Sequence, residues 1–347
     1  MKTTKVAING FGRIGRAFLK VAMARPEIEV VAVNDLGDIK NMEYLLKYDT
    51  AYGASNFSVT TGASKNEVNQ LAFFVDGKEV LYLSEKDPKA LPWKKLGVDV
   101  VVESTGLFTS YEKARVHLDA GAKRVVLSAP SKDEVGATEA STVLMGVNEQ
   151  DTASCPVTSN ASCTTNAGSP LIAILDEAIG IEKAILNTVH GYTASQSLVD
   201  GISKKDFREG RAAGQNIVPS STGAAIAVTK AYPSLVGKFD GISVRVPVVV
   251  GSIVDITFIA KKLTTKEEVN EILRGAAAEP RWKGIFTVTD EPLVSSDVIG
   301  NPHASIADLA FTRVVDGNLV KVMAWYDNEM GYTHTLVEHV IKAGKLV

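Results

Sequence analysis

Lys5-Val-Ala-Ile-Asn9-Gly10-Phe11-Gly12-Arg13-Ile14-Gly15-Arg16 decides how the first half of this chain folds. An apolar run ending at Asn9 reads as a strand, Gly10 to Gly15 as a tight turn, and Arg16 to Arg25 as an amphipathic helix that Pro26 stops. A second apolar, β-branched run, Glu29 to Asn34, completes a β-α-β unit with Asp35 at its carboxyl end. Glycines in the spacing G-x-G-x-x-G are weak evidence by themselves, because an ordinary turn has the same composition. Here the motif follows a strand, opens a helix and has an acidic residue about 20 positions on, the context of a dinucleotide fingerprint. Gly10 permits the turn, Gly12 lets backbone amides approach a pyrophosphate, Gly15 allows the helix to pack close to the sheet, and the helix amino terminus favours the anion. Asp35 is placed to accept hydrogen bonds from ribose hydroxyls, and a 2′-phosphate there would meet a like charge. NAD is therefore expected over NADP.

Working outward, Val98 to Ser104, a helix-like stretch from Tyr111 to Ala120, and Lys123 to Ser128 repeat the alternation, so the first half is expected to be a doubly wound parallel sheet of Rossmann type. Phe73 to Tyr82 holds Asp76-Gly77 between two strand-like runs, a strong hairpin signal. From Thr164 to Gly180 the pattern is a long helix, followed by a strand into His190 and then about thirty residues rich in Ser, Gly, Arg and Asp, a length that is usually functional or disordered. Ile242 to Val250, Gly251 to Ala260 and Leu319 to Tyr326 read as strands, Lys266 to Ala277 as a helix, and Thr335 to Ala343 as an amphipathic helix packing back on the chain. The expected organisation is a nucleotide-binding domain over 1–162, an α+β domain with a mixed sheet over 163–328, and a terminal segment 329–347 returning to the first.

Composition narrows the function. The 347 residues carry 37 basic and 40 acidic side chains for a net charge of -3, and no basic stripe marks nucleic acid as the main partner. Met1 to Gly10 lacks the apolar core of a signal peptide, and the most apolar stretch, Val244 to Ala260, is interrupted by Arg245, Pro247, Gly251 and Asp255. A cytoplasmic protein without a membrane role is expected, and no metal-ligand set is assigned. Two cysteines, Cys155 and Cys163, make a disulfide framework improbable.

Cys163 lies at the start of the long helix, flanked by Ser162 and Thr164, which can cap free amides. A helix dipole and unpaired N–H groups lower a thiol pKa, so Cys163 is expected to be largely thiolate near neutral pH, whereas Cys155, before Pro156, has no such terminus. His190 ends an apolar strand at the mouth of the polar loop, where catalytic groups of such folds face the crevice. An imidazole beside a thiol stabilises the thiolate and then acts as a base. Thr193, Arg208, Arg211, the run Ser220 to Gly223, and Arg245 supply hydroxyls and guanidinium forks for a phosphorylated substrate.

With these residues assembled, the chain resembles the glyceraldehyde-3-phosphate dehydrogenase family over nearly its whole length. Asn9 to Arg16, Leu45 to Asp49, Glu103 to Gly106, Ser159 to Asn166, Thr188 to Thr193, Pro219 to Ala225, Val244 to Pro247 and Trp325 to Glu329 follow that family's blocks in order. The resemblance implies that Cys163 is the nucleophile and His190 its activator and base. It implies that Thr193 and Arg245 hold the substrate phosphate, that Ser162, Thr164, Thr222 and Gly223 hold the attacking phosphate, and that Arg208 belongs to the same anion region. Phe11, Arg13, Ile14, Asp35, Lys86, Ser128 and Asn328 match its cofactor contacts beside Gly10, Gly12 and Gly15. It also implies NAD, glyceraldehyde 3-phosphate and inorganic phosphate as ligands, and a homotetramer with the loop after His190 at a subunit interface.

Several positions depart from the pattern. The stretch 133–142 is longer and more polar, Ala167 stands where a second cysteine is common, Lys86 replaces a frequent arginine, Val248 to Gly251 lacks a Pro-Asn pair, and Met330 replaces a tryptophan. Two other readings remain open at this level: erythrose-4-phosphate dehydrogenase, which Tyr192-Thr193 after His190 disfavours, and a non-catalytic surface or redox binding protein, which would not need Cys163 and His190.

Overall fold

A computed structural model describes residues 3–133, 140–204 and 206–347, so most of the departing stretch 133–142 lies outside the described residues. The chain divides into two compact units. The first comprises 1–143, 149–161 and 336–347, and the second 144–148 and 162–335.

The first unit is built on a nine-stranded sheet. Its strands are β1 (Thr4–Asn9), β2 (Ile28–Asn34), β3 (Val59–Ala63), β4 (Leu71–Val75), β5 (Lys78–Leu83), β6 (Val100–Glu103), β7 (Arg124–Leu127), β8 (Ala140–Thr142) and β9 (Val157–Ser159), in the order β8-β9-β7-β6-β1-β2-β5-β4-β3. β1 pairs in parallel with β2 on one side and β6 on the other, so chain connections diverge from its carboxyl end and open a crevice there. Val6, Ala7 and Ile8 are fully buried, as expected of a strand covered on both faces. The expected hairpin is β4–β5, with Asp76 and Gly77 both at positive φ, 47° and 77°. The expected helix over Tyr111 to Ala120 is two short turns, Tyr111–Ala114 and Val116–Asp119. Helix α1 (Arg13–Ala22) buries Ala17, Phe18 and Leu19 against the sheet.

The final helix, Met330–Gly344, starts earlier than its amphipathic pattern implies, and from Leu336 onward it belongs to the first unit. Within that unit His339 is fully buried, its Nδ1 paired with Asn160 Oδ1 at 3.1 Å and its Nε2 with Thr158 Oγ1 at 2.9 Å. Gly344 lies so close to Thr4 that a Cβ would come within 2.2 Å of its hydroxyl.

The second unit holds an eight-stranded mixed sheet made of β10 (Ile181–Gly191), β11 (Val218–Ser221), β12 (Phe239–Val246), β13 (Ser252–Ala260), β14 (Phe286–Thr289), β15 (Ser305–Asp308), β16 (Arg313–Val315) and β17 (Leu319–Tyr326). Helix α2 (Cys163–Ile179) is apolar nearly all round and buried along most of its length. Gly168 allows this approach, since a Cβ there would lie 3.1 Å from Leu186 of β10. Helix α3 (Ala224–Ala231) follows β11, and α4 (Lys266–Ala277) is capped by Thr265 accepting from Glu268 N. Leu144–Asn148 joins this unit because Arg281 Nε donates to Gly146 O at 2.6 Å and Trp282 packs on Gly146, which leaves no room for a side chain.

Candidate active site

At the carboxyl ends of β1, β2 and β6 the first unit has a cavity of about 560 Å³, bordered by Gly12, Asp35, Leu36, Lys86, Leu107 and Phe108. The fingerprint glycines differ in what surrounds them. A Cβ on Gly10, whose φ is +95°, would lie 2.6 Å from Thr105 N, and one on Gly15 would lie 2.1 Å from Gly10 O. Around Gly12 nothing stands within 4 Å, so its exposed backbone is open to a diphosphate. Asp35 is held by two amides, accepting from Phe11 N at 2.7 Å and Gly37 N at 2.9 Å. Leu36 and Leu107 present exposed apolar side chains at the rim, a fit for the faces of a planar base. These residues fit a dinucleotide.

The other expected cofactor positions are distributed. Phe11 is buried against Phe73, and Ile14 is half-buried in the first turn of α1. Arg13 pairs with Asp49 at 2.8 Å and lies over the Tyr52 ring. Lys86 is exposed on the cavity wall, and Ser128 follows β7 with its amide on Glu103 O. Asn328 is buried in the second unit, where its Oδ1 accepts from Gly251 N and Ser252 Oγ.

In the second unit Cys163 is the first residue of α2 and His190 lies near the end of β10. The two meet with Sγ and Nε2 3.3 Å apart. Ser162 caps the helix, its Oγ accepting from Thr165 N at 3.1 Å, and Ala161 before it takes a left-handed φ of 55° to make the entry turn. His190 Nδ1 is 2.6 Å from Gly191 O and so carries the ring proton, which leaves the Nε2 lone pair facing sulfur. Arg245 is the register partner of His190 on β12 and brings its guanidinium to 3.5 Å from Gly191 O.

Burial pushes the Cys163 thiol up, and Arg245 and the Thr164 amide pull it back only in part. Burial and then Arg245 hold His190 down at about 3. Burial thus opposes charge on either group taken alone, while the 3.3 Å approach of sulfur to Nε2 favours a paired thiolate and imidazolium. The expectation of a thiolate at Cys163 therefore turns on that pairing as well as on the helix terminus. Proton transfer from Sγ to Nε2 would set opposite charges 3.3 Å apart, an attraction of about 5 kcal/mol at an effective dielectric near 20. That attraction offsets part of the cost of charging the pair in a partly buried site.

Cys155, by contrast, is buried, donates to Val157 O at 3.4 Å, and is pushed up by burial. Iodoacetamide should therefore modify Cys163 first, with activity lost in step with that single alkylation. Mass spectrometry of partly inactivated protein checks this, and preferential labelling of Cys155 would show that proximity to His190 does not govern reactivity.

The expected anion ligands fall into two groups. Thr165 Oγ1 donates to Ala224 O at 3.4 Å, which brings the start of α2 beside the start of α3, where Thr222 Oγ1 accepts from Ala224 N and Gly223 is the cap. Ser162, Thr222 and Gly223 are in this way gathered near Cys163. Thr164 is gathered too, but its hydroxyl is buried against Tyr326 OH at 2.9 Å. Thr193 pairs with Ser195 Oγ at 2.9 Å. Arg208 is largely exposed and forked onto Asp206, lining a separate surface hollow with Ser195 and Ser221. Arg211 pairs with Asp200.

Tyr326 is the residue that sequence reading missed. Its hydroxyl lies 2.9 Å from Thr164 on α2 and 2.7 Å from Thr188 on β10, and its ring meets His190 edge-on at 6.0 Å. It therefore braces the two elements that carry the thiol and the imidazole. Only the block Trp325 to Glu329 hinted at it.

A mostly parallel sheet with a dinucleotide crevice, joined in one chain to a unit that sets a cysteine against a histidine, defines an NAD-dependent oxidoreductase. Two family models match the chain: the glyceraldehyde 3-phosphate dehydrogenase NAD binding domain over residues 4–111 and the C-terminal domain over residues 162–328. Glyceraldehyde-3-phosphate dehydrogenase from Borreliella burgdorferi is 48% identical over 96% of this chain and 98% of its own. Those from Zymomonas mobilis and Geobacillus stearothermophilus are 45% identical over 98% of each chain and 47% identical over 96% of each. The chain belongs to the glyceraldehyde-3-phosphate dehydrogenase family.

Proposed function

We propose that this protein oxidises D-glyceraldehyde 3-phosphate with NAD and inorganic phosphate to 1,3-bisphosphoglycerate and NADH, as a step of glycolysis, through Cys163. The observation that carries this reading is the 3.3 Å contact between Cys163 Sγ and the unprotonated Nε2 of His190 at the head of a buried helix. His190 takes the thiol proton, sulfur attacks the aldehyde carbon, and His190 passes the proton on to the former carbonyl oxygen, which gives a thiohemiacetal and frees the imidazole to act again. Amides at the start of α2 face the developing oxyanion. His190 then accepts the hydroxyl proton as hydride leaves carbon, and a thioester remains on Cys163. NAD, when bound, supplies the hydride acceptor. A phosphate oxygen attacks the thioester carbonyl, the C–S bond breaks, and an acyl phosphate departs with the thiolate restored. Covalent catalysis divides a hard reaction into two easier ones and retains the oxidation energy in the thioester.

Arg245 and Thr193 are assigned to the substrate phosphate, and Ser162, Thr222 and Gly223 to the attacking phosphate. Thr164 is assigned with them through its place in the first helical turn. Arg208 joins this anion region only by exchanging Asp206 for a ligand. Exposed Leu198, Val199, Ile202, Phe207 and Ile217, all in the segment after His190, support a homotetramer in which that segment is covered. Among the described residues no helix is long and apolar enough to cross a membrane, and a cytoplasmic location accords with the glycolytic role.

The reading is tested by following NADH formation with glyceraldehyde 3-phosphate. Turnover should be sustained with phosphate and should fall to a slow hydrolytic rate without it, because water is then the only acceptor for the acyl group. Equal rates in both conditions would exclude the phosphorylating reaction, and faster turnover of erythrose 4-phosphate would reassign the substrate.

A further inference from the structure

Beneath the dinucleotide cavity lies a buried polar chain that the catalytic cycle does not use. Glu103, the last residue of β6, accepts from four donors: Asn9 Nδ2 at 2.6 Å, His117 Nε2 at 3.0 Å, and the amide and hydroxyl of Thr105. Trp93 Nε1 donates to His117 Nδ1 at 3.1 Å, which assigns the imidazole proton to Nε2 and aims it at the carboxylate. On the other side Asn9 Oδ1 accepts from Asn34 Nδ2 at 2.7 Å, and Asn34 brackets the backbone of Glu85, accepting from its N–H at 2.8 Å and donating to its C=O at 2.9 Å. Trp93 and His117 are fully buried, and Glu103, Asn9 and Asn34 nearly so.

The chain ties together the segments that wall the cavity. Asn9 precedes the glycine turn, Asn34 precedes Asp35, Glu85 precedes Lys86, and Thr105 leads to Leu107, whose amide its hydroxyl accepts at 3.0 Å. A carboxylate suits the hub because it offers only acceptors, and all four groups that reach it are donors. A buried network of this kind, fully satisfied, fixes one arrangement of its surroundings.

We propose that Glu103 and His117 are positioning residues for NAD: without touching the dinucleotide, they hold the adenosine side of its cavity in the binding geometry. The proposal rests on the assignment of that cavity to NAD. Calorimetric titration of the full-length protein, before any aldehyde is added, tests it with NAD and with ADP-ribose, which lacks the nicotinamide. Glu103→Gln should weaken both ligands by about tenfold or more, since an amide group is forced among donors. His117→Leu should weaken both as well, and His117→Gln, which can donate to Glu103 and accept from Trp93, should restore most of the loss. Saturating NAD should return kcat to near the wild-type value in each folded variant.

Thermal unfolding of the nucleotide-free proteins separates positioning from bulk stability. A variant that melts earlier but binds NAD and ADP-ribose as the wild type does would overturn the proposal, as would His117→Leu and His117→Gln binding alike. If Glu103→Gln does not fold, the His117 pair decides. Asp35→Ala is the control: if it leaves NAD binding unchanged, the assignment of the cavity has failed, whereas weakened binding there with unchanged binding in Glu103→Gln means that only the network's role has failed.

Discussion

Cys163→Ser should abolish aldehyde oxidation, lowering turnover by roughly 10⁴-fold or more, while NAD binding is retained. A serine hydroxyl is far less acidic than a thiol, and His190, held down at about 3, is too weak a base to ionise it. An alkoxide also cannot form the thioester that the phosphate step consumes. NAD binding should persist because the crevice at β1 belongs to the first unit and Cys163 to the second. Single-turnover NADH formation alongside a nucleotide titration checks both halves, and wild-type turnover in the variant would remove Cys163 from the mechanism.

His190→Asn should lower turnover by roughly 10²–10⁴-fold, the scale of general acid–base catalysis. The pH dependence carries the sharper signature. A histidine whose pKa is lowered to about 3 stays in its basic form well below neutrality, so its protonation should not cut wild-type activity around pH 6.5. In the asparagine variant the proton on Cys163 must leave to solvent, and burial pushes that thiol above its ordinary value. The residual rate should therefore climb steadily with pH through neutrality and beyond, where the wild type is flat. A variant with the wild-type profile and rate would exclude His190 as the base.

What could be read in advance was what local pattern encodes. The strand–turn–helix around Gly10, the Asp76-Gly77 hairpin, α4 and β17 each announce themselves within a dozen residues. The placement of Cys163 at a helix terminus was equally local. Its closeness to His190 is not local, since the two lie 27 residues apart on different elements. Tyr326 escaped notice for the same reason: its partners Thr164 and Thr188 are 162 and 138 residues away, and a tyrosine ending an apolar strand looks like core. The network at Glu103 depends on Asn9, 94 residues earlier, and no spacing rule links them. Arg208 is the opposite case. Its partner Asp206 is two positions away, so the pairing is local and competes directly with any anionic ligand for the guanidinium.

The last helix also sets a timetable for biosynthesis. Thr158 and Asn160, in and just after β9, hold the buried His339, and Thr4 at the opening strand is packed by Gly344, more than 300 positions later. On a ribosome extending the polypeptide at about 5–20 residues per second, the nucleotide-binding unit begins first and is sealed last. Until the last helix emerges, the faces that pack on His339 and Gly344 stay uncovered, so the nascent unit remains open to chaperones and proteases.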